Sequence, residues 1–188
     1  MRMNTNSGAQ PPLKESNRPL ADLPPLPSLC SAGALRPVPS EAACLALWDK
    51  YGMLPNIRRH SLLVAHVAAM LAQRAADRGF AVCVPEVRAG GLLHDIAKTY
   101  CVKHGGSHAQ VGAAWTVAET GNYAIAQGVM MHVWWPWALP QGPGICSLPF
   151  FVIYADKRIR HDACVTLEER DEDLLERYGR TEAAREGI

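Results

Sequence analysis

The stretch Leu92-Leu93-His94-Asp95-Ile96-Ala97-Lys98 places an ionisable pair at the end of an apolar helical run, where core residues would otherwise be expected. Burying a histidine beside an aspartate costs free energy unless another group compensates the charge, and a bound metal ion is the usual compensation. The sequence therefore predicts that His94 and Asp95 are metal ligands.

Residues of the same kinds recur near the ends or on the inward faces of other predicted helices: His60, His108, His132 and Asp156. A single histidine on a buried face is more often a satisfied core residue than a ligand. Asp156 is less easily explained in that way, because it interrupts the apolar run 148–155. Six such residues together are hard to explain as separate core residues, and their nitrogen and oxygen atoms suit zinc, iron or manganese.

Six ligand residues are more than a single metal ion needs. A first site is filled by four of them: His60, His94, Asp95 and Asp156. His108 and His132 either hold a second ion, with Asp95 as the bridging carboxylate, or bind the substrate directly. Two ions about 3.5–4 Å apart can polarise a phosphoryl oxygen and generate hydroxide at neutral pH.

Lys98 lies four residues after His94, on the same helical face. It either binds a phosphate as a point charge or is a cation that interacts with a helix C-terminus. For catalysis, we assign roles to Asp95 and to Lys98.

The 188 residues suit one domain preceded by a tail. Residues 1–39 are rich in Pro, Ser and Asn and are predicted to be disordered. Residues 40–180 are predicted to form a single all-α domain. Its helices are expected over 40–51, 55–78, 85–95, 108–119, 123–131, 148–160 and 167–178, with loops at 100–106 and 133–147 and no strands.

The loop 133–147 carries three of the five tryptophans. One hypothesis makes it a rim or lid, with Trp134 and Trp135 contacting the substrate. The alternative is a hydrophobic plug over the end of the bundle.

Composition excludes several classes of protein. The formal charge of +1 argues against a general nucleic-acid binder, and neither a signal peptide nor a membrane-spanning run is visible. We therefore expect a cytoplasmic protein. The six cysteines lack Cys-x-x-Cys spacing, which argues against a zinc ribbon, and each is expected to be a small buried residue. The acidic run 168–173 is expected to be a solvated helix face.

His60, the His94-Asp95 doublet and Asp156 resemble the signature of the HD-domain superfamily of metal-dependent phosphohydrolases, over roughly residues 55–160. His108-Ala-Gln-Val-Gly-Ala and Tyr154-Ala-Asp156-Lys157 resemble the bacterial branch that includes symmetrical diadenosine tetraphosphate hydrolases. The resemblance implies an all-helical bundle with a di-iron centre in its middle. The residues after His132, Val133-Trp134-Trp135-Pro136, differ from the small and hydroxyl residues that this branch usually carries.

The sequence and the resemblance together predict a phosphohydrolase that cleaves a nucleotide or another phosphoester through a hydroxide activated by two metal ions, iron or manganese. The expected partner is a small molecule, with no nucleic acid and no membrane. Two alternatives stay open at this point: an HD-type di-iron oxygenase, and a non-catalytic nucleotide-binding regulatory domain.

Overall fold

The computed structural model describes residues 37–135 and 141–182, and helices make up most of these ranges. The helices are α1 (Glu41–Lys50), α2 (Pro55–Ala76), α3 (Val84–Leu93), α4 (Lys98–His104), α5 (His108–Thr120), α6 (Tyr123–Met131), α7 (Leu148–Lys157) and α8 (Leu167–Tyr178). A 3-10 turn covers Gly142–Ile145, and β1 (Ile159–Arg160) pairs antiparallel with β2 (Ala163–Cys164). The predicted all-α class is confirmed. The predicted tail lies outside the described residues except for 37–39, as does segment 136–140 of the tryptophan loop.

Local signals in the sequence explain where several helices begin. The Ser40 hydroxyl accepts a hydrogen bond from the Ala43 N–H at 3.2 Å and caps α1. Asn122 caps α6 with its side-chain oxygen and donates from its nitrogen to Glu86 of α3 at 2.9 Å. Thr166 opens α8 with a complete capping box. These caps account for the close agreement between the predicted and observed starts of α1, α6 and α8.

Two predicted boundaries are wrong. The expected loop 100–106 is largely helix α4. Thr99 is the only buried residue among the seven of this helix, so its sequence shows no helical repeat of apolar residues from which a helix could be predicted. Helix α7 ends at Lys157 rather than at residue 160, and the chain turns into the small hairpin. The Arg158 guanidinium donates to the Val165 carbonyl at 2.6 Å. Strands of two residues are too short to produce an alternating pattern.

Helices α2 and α3 approach each other closely at Gly91. A Cβ atom there would lie 2.5 Å from Ala65 Cα, which is a backbone contact. The glycine therefore permits the two backbones to pack directly, so close packing is the reason for this residue. Leu92 and Leu93 follow in the fully buried core, and the same turn of chain delivers His94 and Asp95 to the interior.

Two expectations that were drawn from composition can be compared with the structure. Among the cysteines in the described ranges, Cys44 is buried, Cys101 and Cys146 are half-buried, and Cys83 and Cys164 are exposed. The prediction that every cysteine is buried is therefore wrong, and Cys30 lies outside the described residues. Within the described ranges, no helix combines the length and the apolar composition needed to cross a membrane.

Gly91→Ala should lower the free energy of unfolding by about 1–3 kcal/mol, because its methyl group overlaps the α2 backbone. Gly90→Ala is the matched control: it gains the same helix propensity, of up to about 1 kcal/mol. Its methyl group meets only the Leu148 and Val152 side chains, at 3.2 and 3.3 Å. Urea denaturation of both variants provides the comparison, and equal stability would contradict the proposed backbone contact.

Candidate metal centre

The six residues singled out in the sequence come together from separate elements. Each occupies a different place in the bundle: His60 on α2, His94 and Asp95 in the turn after α3, His108 at the start of α5, His132 directly after α6, and Asp156 on α7. His60, His94, Asp95 and His132 are buried. The fold thus gathers ionisable side chains in its interior, as the sequence analysis anticipated.

One group of atoms surrounds the Oδ2 atom of Asp95. His94 Nε2 lies 3.5 Å from this oxygen, and His60 Nε2 lies 4.0 Å from it. Asp156 Oδ1 lies 2.9 Å from His60 Nε2 and 3.7 Å from His94 Nε2. His60, His94 and Asp156 each offer one ligand atom within a space that suits a metal ion.

A second group surrounds Asp95 Oδ1, the other oxygen of the same carboxylate. His108 Nε2 lies 3.3 Å from this atom and His132 Nε2 lies 3.6 Å from it. The two histidine nitrogens are 3.2 Å apart. Asp95 therefore presents one oxygen to each of two histidine groups.

Backbone carbonyls orient three of the four histidines. His94 Nδ1 donates to the Gly91 carbonyl at 2.7 Å, and His132 Nδ1 donates to the Val129 carbonyl at 2.6 Å. His60 Nδ1 is 3.1 Å from the carbonyl of His161. A ring that donates from Nδ1 keeps a lone pair on Nε2, which is the arrangement that metal-binding histidines require.

His161, which supports His60, escaped the sequence analysis. It is the turn residue between β1 and β2 and has a positive φ of 60°, a conformation that histidine adopts more readily than most residues. Its role depends on its carbonyl, and no side-chain spacing could have revealed that.

Two buried atoms at the centre lack hydrogen-bond partners among the described residues: His94 Nε2 and Asp95 Oδ1. Leaving such atoms unsatisfied costs about 1–3 kcal/mol each, and more for a charged group. A divalent cation at each of the two groups would satisfy both atoms. The donor set of histidine nitrogen and carboxylate oxygen therefore fits a metal ion of the zinc, iron or manganese kind.

Lys98 lies beside this cluster. Its Nζ is 2.6 Å from Asp95 Oδ2. Because Lys98 is the first residue of α4, it does not lie in the last turn of a helix, and the helix C-terminus explanation for this cation fails.

Two cavities open next to the cluster. The larger, of about 440 Å³, reaches His108, His132 and Asp156. The smaller, of about 290 Å³, reaches His60 and Asp95. Neither Trp134 nor Trp135 is among the residues that line them. Trp134 is exposed and the Trp135 ring lies 4.5 Å from that of Phe150, so a substrate contact by either tryptophan stays a prediction.

Helix α8 contributes residues that the sequence analysis assigned to a solvated face. That prediction is wrong for Asp173, which is buried and pairs with Arg170 and Arg177. Both arginines line the smaller cavity. The spacing of these three residues, three and four apart, is the signal that could have identified the pairs.

The family model of the HD domain matches residues 57–175, which include all six residues of the cluster. The chain belongs to the HD-domain family. The HD domain points to the superfamily of metal-dependent hydrolases, and the chain has two groups of His and Asp side chains that could hold a metal ion. The finer resemblance to the diadenosine tetraphosphate branch stays a prediction.

A relative of this HD-domain chain is the uncharacterised protein MJ0778 of Methanocaldococcus jannaschii. The two are 43% identical over 58 residues, which cover 31% of this chain and 33% of the relative. The chain therefore matches about a third of that relative's length. No solved structure matches.

The carboxylates of the HD domain are held in their charged forms. Burial raises the pKa of Asp95, but the neighbouring His94 ring and Lys98 ammonium group outweigh burial and hold this pKa well below its usual value. Burial likewise raises the pKa of Asp156, but the His60 ring, whose Nε2 lies 2.9 Å from Asp156 Oδ1, outweighs burial, so that this pKa also lies well below the usual range. Both groups are therefore ionised at neutral pH, as metal ligands must be.

The two histidines near Asp95 Oδ1 are shifted in opposite directions. Burial lowers the pKa of His108 to about 4, so its ring is neutral at pH 7. Burial also acts to lower the pKa of His132, but the adjacent Asp95 carboxylate raises it above the ordinary value. A neutral His108 has a lone pair available for a metal ion or for a substrate proton.

His161→Val should weaken divalent-metal affinity about 10- to 100-fold, the usual cost of losing a group that orients a histidine ligand. A β-branched residue resists positive φ, so the carbonyl that holds His60 Nδ1 must move. His161→Gly also lacks the imidazole but accepts positive φ, so it should bind metal as the wild type does. Metal titration of both variants is the measurement, and equal affinities would refute the role of this carbonyl.

Proposed function

We propose that the chain is a metal-dependent phosphohydrolase that acts on a nucleotide or another small phosphoester. The observation that carries the proposal is the position of Asp95, whose two oxygens face two separate histidine groups at 3.3–4.0 Å. We assign a first ion to His60, His94, Asp95 and Asp156. A second ion is assigned to Asp95, His108 and His132.

The ions that suit these ligands are iron and manganese, with one ion at each group. Paired divalent ions supply Lewis-acid activation of water and of a phosphoryl oxygen. The protein contributes the remaining parts of the reaction. Buried, backbone-bonded imidazoles keep the geometry rigid, and Asp95 joins the two halves.

Lys98 has two roles in this proposal. Its ammonium group holds Asp95 Oδ2 at 2.6 Å, which keeps the carboxylate from rotating between the histidine groups. Lys98 also lines both cavities, so the same charge is available to a phosphate oxygen. Burial lowers its pKa, but the Asp95 charge raises it above the ordinary value, so this lysine stays cationic at neutral pH.

The size of the cavities supports a small-molecule substrate. Their volumes, about 440 and 290 Å³, are in the range of small-ligand sites. The formal charge of +1 argues against a general nucleic-acid binder. A cytoplasmic location and the absence of a membrane partner belong to the same proposal and rest on composition.

His108→Ala should reduce the metal content from about two ions per chain to about one and lower kcat at least about 100-fold, because one of two paired ions is lost. The matched control is His104→Ala, which removes an exposed histidine from the end of α4. Elemental mass spectrometry and phosphate release from a nucleotide panel provide the measurements. An unchanged metal content in His108→Ala would make this residue a substrate contact.

Asp95→Ala separates hydrolysis from the alternatives. We expect it to abolish metal-dependent phosphate release, since both groups lose their shared carboxylate. Full activity in this variant would overturn the proposal. Oxygen consumption with an organic substrate, without hydrolysis of any phosphoester, would instead favour the di-iron oxygenase.

A further inference from the structure

The two cavities beside the cluster differ in the chemistry of their walls. They share three residues, Lys98, Arg170 and Tyr178, which stand between them. Beyond the cluster residues and Lys157, the larger cavity adds the apolar side chains of Val102, Val133 and Leu174. It therefore suits the uncharged part of a ligand.

The smaller cavity is cationic. Its lining includes four basic side chains and two carboxylates. The basic residues are Arg59, Lys98, Arg170 and Arg177, and the carboxylates belong to Asp95 and Asp162. Asp95 is already engaged by Lys98 at 2.6 Å, and Asp162 lies 3.8 Å from Arg59. The two arginines of α8 thus have neither of these carboxylates as a partner.

Asp173 holds those two arginines in place. Its Oδ2 accepts a hydrogen bond from Arg170 Nη1 at 2.7 Å, and its Oδ1 forms an ion pair with Arg177 Nε at 2.9 Å. One buried carboxylate between two guanidinium groups leaves one positive charge uncompensated. The pair is therefore positioned by the protein but is not neutralised by it.

Donor groups remain on both arginines. Arg170 has a side chain that is only 13% exposed, and its buried Nε has no hydrogen-bond partner in the described part of the chain. Arg177 uses Nε for Asp173 and Nη2 for the His161 ring at 2.7 Å. A guanidinium group has five N–H donors, so each arginine can still bind an anion.

We propose that the smaller cavity binds a second anionic group of the substrate, a phosphate adjacent to the one that is cleaved, through Arg170 and Arg177. Asp173 acts as the positioning residue for both. The inference rests on the proposed function, because it takes the cleaved phosphate to lie at the Asp95 cluster. It specifies the substrate class further: a phosphoester with a second phosphate and an apolar or aromatic remainder, the latter in the larger cavity.

Arg177→Gln tests the proposal through binding. The probes are AMP and adenosine 5′-(α,β-methylene)diphosphate, which resists cleavage between its phosphorus atoms, titrated calorimetrically into the metal-loaded full chain. We expect the wild type to prefer the diphosphate analogue by at least about tenfold, the contribution of one charge-assisted hydrogen bond. Arg177→Gln should bind AMP as before and lose that preference.

Arg180→Gln is the matched control, because it removes an exposed arginine three residues further on that lines neither cavity. It should keep the preference for the diphosphate analogue. Equal binding of the two probes by the wild type, or an unchanged preference in Arg177→Gln, would overturn the proposal.

Asp173→Asn tests the positioning role. An amide can accept from one arginine but not from both, so the preference for the diphosphate analogue should fall while metal content stays unchanged. Asp173→Glu should restore part of the preference, and Asp171→Asn, at an exposed position of the same helix, should have no effect. A lowered Tm with an intact preference would make Asp173 purely structural and refute this role.

The binding measurement also separates this inference from the proposed function. An arginine-dependent preference without hydrolysis of any phosphoester would reject the hydrolase and support the anion site. If the protein releases phosphate but Arg177→Gln keeps the preference for the diphosphate analogue over AMP, the hydrolase is supported and the anion site is rejected.

Discussion

The structure depends on a single buried carboxylate, that of Asp95. Its side chain is 1% exposed, and a lone charge at that depth would be too costly to keep. Cationic or ligand-type groups approach both of its oxygens, so its ionisation is supported from two sides. Five separate elements contribute these groups, and their packing fixes the positions of the donors. The charge and the helical bundle are therefore mutually dependent.

The bundle orients the site through its backbone. Carbonyls at the C-terminal ends of α3 and α6 accept from the Nδ1 atoms of His94 and His132, so helix ends that would otherwise carry unsatisfied acceptors direct the imidazoles. Gly91 permits the close approach of α2 and α3, and its carbonyl accepts the hydrogen bond that orients His94. Gly91 therefore serves both the packing of two helices and the orientation of a predicted metal ligand.

Helix α8 extends the site beyond the cluster. Its acidic and basic residues suggest a solvated surface, but one carboxylate, Asp173, turns inwards and holds two arginines against the smaller cavity. The hairpin between α7 and α8 adds the His161 carbonyl, which supports His60, and the His161 ring, which accepts from Arg177. The HD-family cluster and the arginine pair are therefore connected through a short turn.

The sequence by itself determined the all-α class and the six clustered residues, because helical periodicity and buried ionisable residues are local signals. It also indicated where several helices begin, as at Ser40. Only the tertiary structure decided how Asp95 divides its oxygens, that Asp173 is buried, and that the carbonyl of His161 faces His60. These features depend on distances between residues far apart in the chain and on backbone atoms, which side-chain patterns do not encode.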